Sequence, residues 1–213
     1  MQNEPSSLAA LIGSRICHDL INPIGAISNG LELVSMGAPA PVSPEMSLIQ
    51  QSCDNATARI QFFRIAFGSA GETRPVPRLQ AEKTLADHYT GTRITPEWCI
   101  PDATGRHIVQ LAYLGVMCME IALPQGGVIS VASDATHMSI TATGPALVRD
   151  SDLWSWLESP QGRESTELRP AHVQFALLAE LCDGQALTTH TQALPEALVL
   201  RIALPAADGD PPA

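Results

Sequence analysis

Two segments at the start of the chain carry apolar residues at helical spacing. The first stripe recurs every three or four residues and predicts a helix from about Ser7 to Met36. The second stripe keeps a heptad rhythm, and it predicts a helix that starts after Ser43 and ends at Gly68 to Gly71. The first stripe consists of Ile12, Ile16, Leu20, Ile24, Ile27, Leu31 and Val34, and the second of Met46, Ile49, Cys53, Ala56, Ile60, Phe63 and Phe67. Residues 1–72 are therefore expected to form a domain built on a helical hairpin.

Two helices alone cannot cover two long apolar stripes. Pairing with a second copy of the chain would bury both stripes in a dimeric four-helix bundle, so the pattern predicts a homodimer. The alternative is that the stripes pack against the rest of the same chain.

The pattern changes at Pro75, where strand-like and helix-like segments begin to alternate. This mixture predicts an α/β sandwich over residues 75–206, followed by a polar tail over 207–213, and makes the whole chain α+β. A short helix or loop is expected around Trp154 and Trp156. The expected helices are Leu79–His88, Thr104–Ala122 and Val173–Leu181, and the expected strands are Thr92–Thr95, Val128–Val131, Met138–Thr143, Gln185–Thr191 and Ala197–Leu204.

Composition excludes several classes of function. The formal net charge is −10 with 12 basic residues, which disfavours binding to nucleic acid or to anionic membranes. Apolar runs fall short of a membrane span, and Met1 to Pro5 lack the pattern of a secretory signal. The five cysteines contain no C-x-x-C pair, so reduced thiols in a cytoplasmic protein are expected, with no metal site.

The chemistry of the chain is concentrated at His18. At about 100° per residue this histidine lies roughly opposite the apolar stripe of the first helix, where its ring faces solvent and is free to react. Asp19 follows it directly, and a hydrogen bond to the carboxylate would fix the ring tautomer and leave the other nitrogen as a nucleophile. Pro23 removes a helical N–H one turn later. The alternative is a surface histidine without a role.

The residues around His18 suit the docking of another protein. Small side chains at Ser14 and Gly25 let a second backbone approach closely. Leu11 and Ile21 offer apolar contact, and Arg15 lies one turn before the histidine, where it can neutralise a phosphoryl group.

The segment resembles the H-box of two-component histidine kinases, because His18, Asp19, Pro23 and Ile24 match the pattern His-Glu/Asp-x-x-x-Pro-Leu/Ile. Residues 8–33 are similar to ChpT-type histidine phosphotransferases of alphaproteobacteria. The resemblance implies that His18 is phosphorylated and that the hairpin forms a dimeric bundle followed by a domain shaped like the kinase ATPase module. It also places Asn22 where related kinases often carry a Thr or Asn involved in dephosphorylation.

Three nucleotide-binding motifs of such kinases are missing together. Residues 114–127 contain no asparagine, residues 142–146 lack the aspartate and second glycine of the adenine box, and residues 170–175 replace the glycine-rich lid. We therefore expect no ATP and no cofactor on this chain.

The expected function is a phosphorelay. His18 takes the phosphoryl group from a receiver domain of a hybrid histidine kinase and gives it to the receiver of a response regulator, and the receiver supplies Mg²⁺. The alternatives are a divergent ATP-dependent histidine kinase and a non-catalytic dimeric scaffold that binds receivers.

Overall fold

The chain folds into a helical hairpin followed by a layer of helices on a sheet. The computed structural model describes residues 8–36, 44–68, 74–101, 103–149, 151–159, 163 and 169–204. The hairpin consists of α1 (Leu8–Met36) and α2 (Pro44–Ala66), so both predicted helices are confirmed. Ser43, the expected cap of α2, lies outside the described residues.

Close packing at Gly30 fixes the register of the hairpin. Gly30 is buried, and a Cβ atom at this position would lie 2.4 Å from Cγ1 of Ile49. At the other end of the hairpin Ile12 and Ile16 share a groove with Phe63 and Phe67. The two helices are therefore antiparallel, and the turn that contains His18 lies beside the last turns of α2.

Much of the apolar surface of the hairpin stays open in the single chain. The exposed fractions of Ile24, Leu31 and Ile60 are 54%, 55% and 53%. Beside the C-terminal end of α2, Ile16 and Phe67 pack against the buried core. The buried residues in the described part of α1 are Asp19, Pro23 and Gly30, so the predicted apolar stripe does not coincide with the most buried face of this helix.

The second part of the chain forms a mixed five-stranded sheet with the order β1-β2-β3-β5-β4. Strands β1 and β2 are parallel, and the other neighbours are antiparallel. The elements are α3 (Arg78–Tyr89), β1 (Ile94–Trp98), α4 (Arg106–Ile121), β2 (Gly127–Ser133), β3 (His137–Thr143), α5 (Ser151–Glu158), a 3₁₀ turn at Pro170–His172, α6 (Val173–Gly184), β4 (Thr189–Ala193) and β5 (Ala197–Ala203).

One face of this sheet packs on the helices. Alternate residues of the central strands are fully buried, among them Ile129, Ile140 and Leu200, as expected where one face of an antiparallel sheet meets the core. The central helix α4 is buried from Val109 to Met119. The α+β class is confirmed, and no helix of the described ranges is both long and apolar enough to span a membrane.

Two predicted strands are misplaced along the chain. The strand expected at Gln185–Thr191 begins at Thr189, because Ala186 adopts a positive φ of 54° in a turn that breaks the extended backbone. The strand expected at Thr92–Thr95 runs instead from Ile94 to Trp98 and includes Pro96. Proline has no backbone N–H to donate to a neighbouring strand. Strand β1 lies at the edge of the sheet, where one side of the strand needs no donor, so a proline is tolerated there.

Candidate functional site: the His18 turn and its support

The predicted phosphorylation site lies within an uninterrupted helix. Helix α1 is continuous from Leu8 to Met36 and carries Pro23 inside it. The structure describes the backbone here, but the side chains of five predicted site residues lie outside the described part, namely Leu11, Ser14, Arg15, His18 and Ile21. The solvent exposure of the His18 ring remains a prediction.

The other predicted site residues separate into a buried one and two exposed ones. Asp19 is buried, with 8% of its surface exposed. Asn22 and Gly25 are exposed, and they lie three residues apart on one face of α1. Among the described residues, no atom lies within 4 Å of a Cβ placed on Gly25. The helix therefore presents open surface on the side that Asn22 and Gly25 share.

An apolar groove runs between α1 and α2 at the level of His18. Ile16 and Leu20, which flank His18 in the sequence, line it from α1, and Ile60 and Phe63 line it from α2. The groove has a volume of about 390 Å³. Along this groove the turn that contains His18 lies beside the C-terminal half of α2. The position of α2 therefore determines where the His18 turn lies.

Side chains of α4 hold the C-terminal end of α2. The Gln110 amide donates hydrogen bonds to the carbonyl oxygens of Ala66 and Gly68, at 3.2 and 2.9 Å. The Arg106 guanidinium donates to the carbonyl of Arg64 at 3.1 Å. Carbonyls in the last turn of a helix lack intrahelical donors, and a cation there also opposes the negative end of the helix dipole.

Sequence reasoning missed this support. A glutamine and an arginine at the start of an otherwise apolar helix were the available signal. Their partners lie more than 40 residues away in the sequence, with a separation of 42 for Arg106 and 44 for Gln110.

An aromatic cluster packs the same end of α2 against the sandwich. The Phe62 ring stacks on Tyr113 with ring centroids 4.7 Å apart. The Tyr113 hydroxyl donates to the Ala81 carbonyl at 2.7 Å, and burial raises the pKa of this phenol well above its usual value. The tyrosine is therefore a neutral structural group.

The three segments that replace the nucleotide motifs come together in the fold. The Val148 amide donates to the Ala122 carbonyl at 2.9 Å. Gly144 lies so close to the Gly126 carbonyl that a Cβ would be 2.6 Å from its oxygen. The Gln174 amide donates to the Met117 carbonyl at 3.3 Å.

Apolar side chains fill this corner. Val173, Phe175 and Trp154 have no exposed surface. The rings of Trp154 and Phe175 pack edge to face, with centroids 5.2 Å apart. The described residues contain no group of three or more His, Cys, Asp or Glu side chains arranged to hold a metal ion.

Comparisons with known proteins agree with this architecture. The chain is 35% identical to the protein phosphotransferase ChpT of Brucella abortus (strain 2308) over 130 residues, which cover 58% of this chain and 59% of that protein. The match therefore spans less than two thirds of that relative. A solved structure described as a bacterial phosphotransferase is 29% identical, with a TM-score of 0.75, and the match covers 95% of this chain and 98% of that one. Residues 78–195 match the family described as the histidine phosphotransferase C-terminal domain, and the chain belongs to that family.

Proposed function

We propose that this protein is a phosphorelay intermediate that carries a phosphoryl group on His18. The observation that carries the proposal is the H-box segment on the continuous helix α1, joined to a domain of the histidine phosphotransferase family. The donor is an aspartyl phosphate on the receiver domain of a hybrid kinase, and the acceptor is the receiver aspartate of a response regulator.

The transfer needs a nucleophile and a positioned partner. A ring nitrogen of His18 attacks phosphorus, so that an N–P bond forms while the P–O bond to the donor aspartate breaks and the carboxylate leaves. The other ring nitrogen keeps its proton, and Asp19 orients it. At the second receiver the aspartate oxygen attacks and the N–P bond breaks. Acyl phosphate and phosphohistidine are both reactive, so positioning supplies most of the rate.

The exposed side of α1 is the proposed docking surface for both receivers. Asn22 and Gly25 lie on it, and the open space around Gly25 supports a close approach of another backbone. Leu11, Ser14, Arg15 and Ile21 complete the proposed surface, and the receiver brings its own Mg²⁺.

Packing in the sandwich supports transfer without ATP. A nucleotide needs polar groups and open space for its phosphates and for Mg²⁺. Here the Gln174 amide donates to the backbone carbonyl of Met117, and the buried rings of Trp154 and Phe175 pack against each other. In this proposal the sandwich supports α2 and takes no part in the chemistry.

Exposed apolar residues on the hairpin support a homodimer. Ile24, Leu31 and Ile60 are each more than half exposed, on helices whose stripes have the spacing of a bundle core. A second hairpin would cover these residues and complete a four-helix bundle.

The test starts from receivers phosphorylated with radiolabelled acetyl phosphate and Mg²⁺. Candidate donors are the receiver domains encoded in the same genome. Label is expected to move from one receiver to this protein and then to a second receiver. His18→Ala should still bind the receivers but take up no label, because the nucleophile is gone.

Two outcomes would refute the relay. Self-labelling from ATP and Mg²⁺ alone would identify an ATP-dependent kinase. Unchanged signalling in cells that carry His18→Ala would identify a scaffold for which the histidine is incidental. A size-exclusion measurement with light scattering tests the dimer separately.

A further inference from the structure

The sandwich holds the two helices of the hairpin through different elements. Helix α2 packs against α3 and α4, whereas α1 packs against the 3₁₀ turn Pro170–His172 and against α6, which follows that turn. The hydrogen bonds of Arg106 and Gln110 and the ring stack of Phe62 all act on α2. The helix that carries His18 is therefore held to the sandwich by a contact of its own.

This contact lies on the half of α1 that includes His18. Gln110 of α4 binds the C-terminal end of α2, and in the antiparallel hairpin this end lies beside the first half of α1. In that half Ile16 packs against the buried core and Asp19 is buried. The protein's own chain therefore covers α1 just before and just after His18 in the sequence.

The 3₁₀ turn is short and stiff. Pro170 opens the turn, and its ring fixes φ. The His172 amide donates to the Arg169 carbonyl at 2.9 Å, and the Val173 amide donates to the Pro170 carbonyl. Val173, the first residue of α6, has no exposed surface. These residues stand where the resemblance to kinases places a glycine-rich lid, and a proline and a buried valine leave the backbone much less freedom than glycines would.

We infer that the Pro170–His172 turn and Val173 position α1 for phosphoryl transfer at His18. This inference rests on the proposed function. Transfer requires a ring nitrogen of His18 in line with the P–O bond that breaks, and a small displacement of a positioned group costs a large factor in rate. The turn restricts movement of α1 relative to the sandwich, so that a docked receiver meets the ring in one position. Val173 acts through α1, and it is a positioning residue.

The test compares Val173→Ala with the matched control Val131→Ala. Val131 is fully buried on β2, between β1 and β3. Both variants remove the same two methyl groups from buried sites, so they should lower the midpoint of urea unfolding by similar amounts. With a saturating receiver labelled by acetyl phosphate, Val173→Ala should transfer about tenfold more slowly at unchanged KM. Val131→Ala should transfer at the wild-type rate.

Pro170→Gly tests the turn without opening a cavity in the core. Glycine frees φ at this position, so the rate at saturating receiver should fall while KM stays the same. Hydrogen–deuterium exchange in residues 12–22 of α1 should become faster, whereas exchange in α2 should not change. The matched control is Pro195→Gly, at an exposed proline in the β4–β5 turn. This control should change neither the exchange in α1 nor the transfer rate.

The outcomes separate the two hypotheses. Equal transfer rates for Val173→Ala and Val131→Ala, or unchanged exchange in residues 12–22 of both Val173→Ala and Pro170→Gly, would overturn the positioning role and leave the relay intact. A higher KM at unchanged kcat would also overturn it, because the turn would then belong to the docking surface. Failure of wild-type protein to accept label from any receiver would overturn the relay, and with it the inference that depends on it.

Discussion

The imidazole ring of His88 lies flat on the phenyl ring of Phe62, with centroids 3.9 Å apart and planes inclined by 13°. Tyr113 covers the other side of the same phenyl ring. Phe62 comes from the hairpin, whereas His88 and Tyr113 come from helices of the sandwich. The two parts of the chain therefore share one core, and the helix beside the histidine turn is held by the sandwich.

Removing the central ring of this stack should loosen the junction. Phe62 has no exposed surface, and Phe→Ala in such a site costs about 3–5 kcal/mol. We expect Phe62→Ala to lower the free energy of unfolding by that amount in urea titrations. Phe67→Ala is the control, since Phe67 is only partly buried and should cost less. Equal losses for the two variants would contradict the central position of Phe62.

A side chain at position 30 should destabilise the hairpin only while Ile49 is present. A methyl group at position 30 would collide with Cγ1 of Ile49, and overpacking costs about 1–3 kcal/mol. The higher helix propensity of alanine offsets about 1 kcal/mol. A double-mutant cycle with Ile49→Ala, measured by thermal unfolding, tests this contact. Gly30→Ala should lower the free energy of unfolding by at least about 1 kcal/mol more when residue 49 is Ile than when it is Ala. A coupling free energy of zero would mean that the helices cross elsewhere.

A charge on the open stripe should prevent pairing of two copies. Ile60 is 53% exposed in the single chain, and we expect Ile60→Glu to give a monomer, because an unpaired carboxylate in an apolar interface costs several kcal/mol. The matched control is Leu194→Glu. Leu194 is 44% exposed at the β4–β5 turn, and this variant should remain dimeric in light scattering. A dimer that survives Ile60→Glu would place the interface on another surface.

Gly25 allows docking to be separated from folding. Since the described residues leave space around it, Gly25→Leu should keep or raise the melting temperature, because leucine is the better helix former. The same side chain would block a receiver that approaches closely, so transfer to His18 should fall at least tenfold. Gly184→Leu provides the control at a second glycine with free space, in the last turn of α6. Undiminished transfer by Gly25→Leu would exclude Gly25 from the docking surface.

The cysteines should differ in their reactivity. Cys99 is exposed, whereas Cys118 and Cys182 are buried between α4 and α6. Burial, followed by the nearby charge of Asp183, raises the pKa of Cys182 to about 12, and burial raises that of Cys118 well above its usual value. Only the thiolate reacts, so iodoacetamide at pH 8 should label Cys99 rapidly and the two buried thiols only after unfolding. Mass spectrometry of the labelled peptides checks this order.

Periodicity predicted the hairpin and the strands near the sheet centre well, because burial of one face imposes a repeat that a single sequence reveals. It could not predict the burial of Asp19. That residue is buried in a stretch of α1 where Pro23 and Gly30 are also buried, and such positions carry no apolar periodicity.

Long-range contacts also escaped prediction. The hydrogen bonds of Gln110 to the end of α2 depend on where α4 lies after folding, and no local pattern encodes that. The sequence showed that residues 114–127, 142–146 and 170–175 lack the asparagine, aspartate and glycine residues of a kinase. It did not show that the rings of Trp154 and Phe175 pack against each other.

The hydrogen bonds from Arg106 and Gln110 to the last carbonyls of α2 attach the sandwich to the hairpin. A rotation of the sandwich relative to the hairpin would have to break these bonds and separate the Phe62 and His88 rings at the same time. A kinase that phosphorylates its own histidine from ATP has to bring its nucleotide-binding domain to that histidine. In the relay proposed for this protein the sandwich would stay in place, and each receiver would meet the same fixed surface.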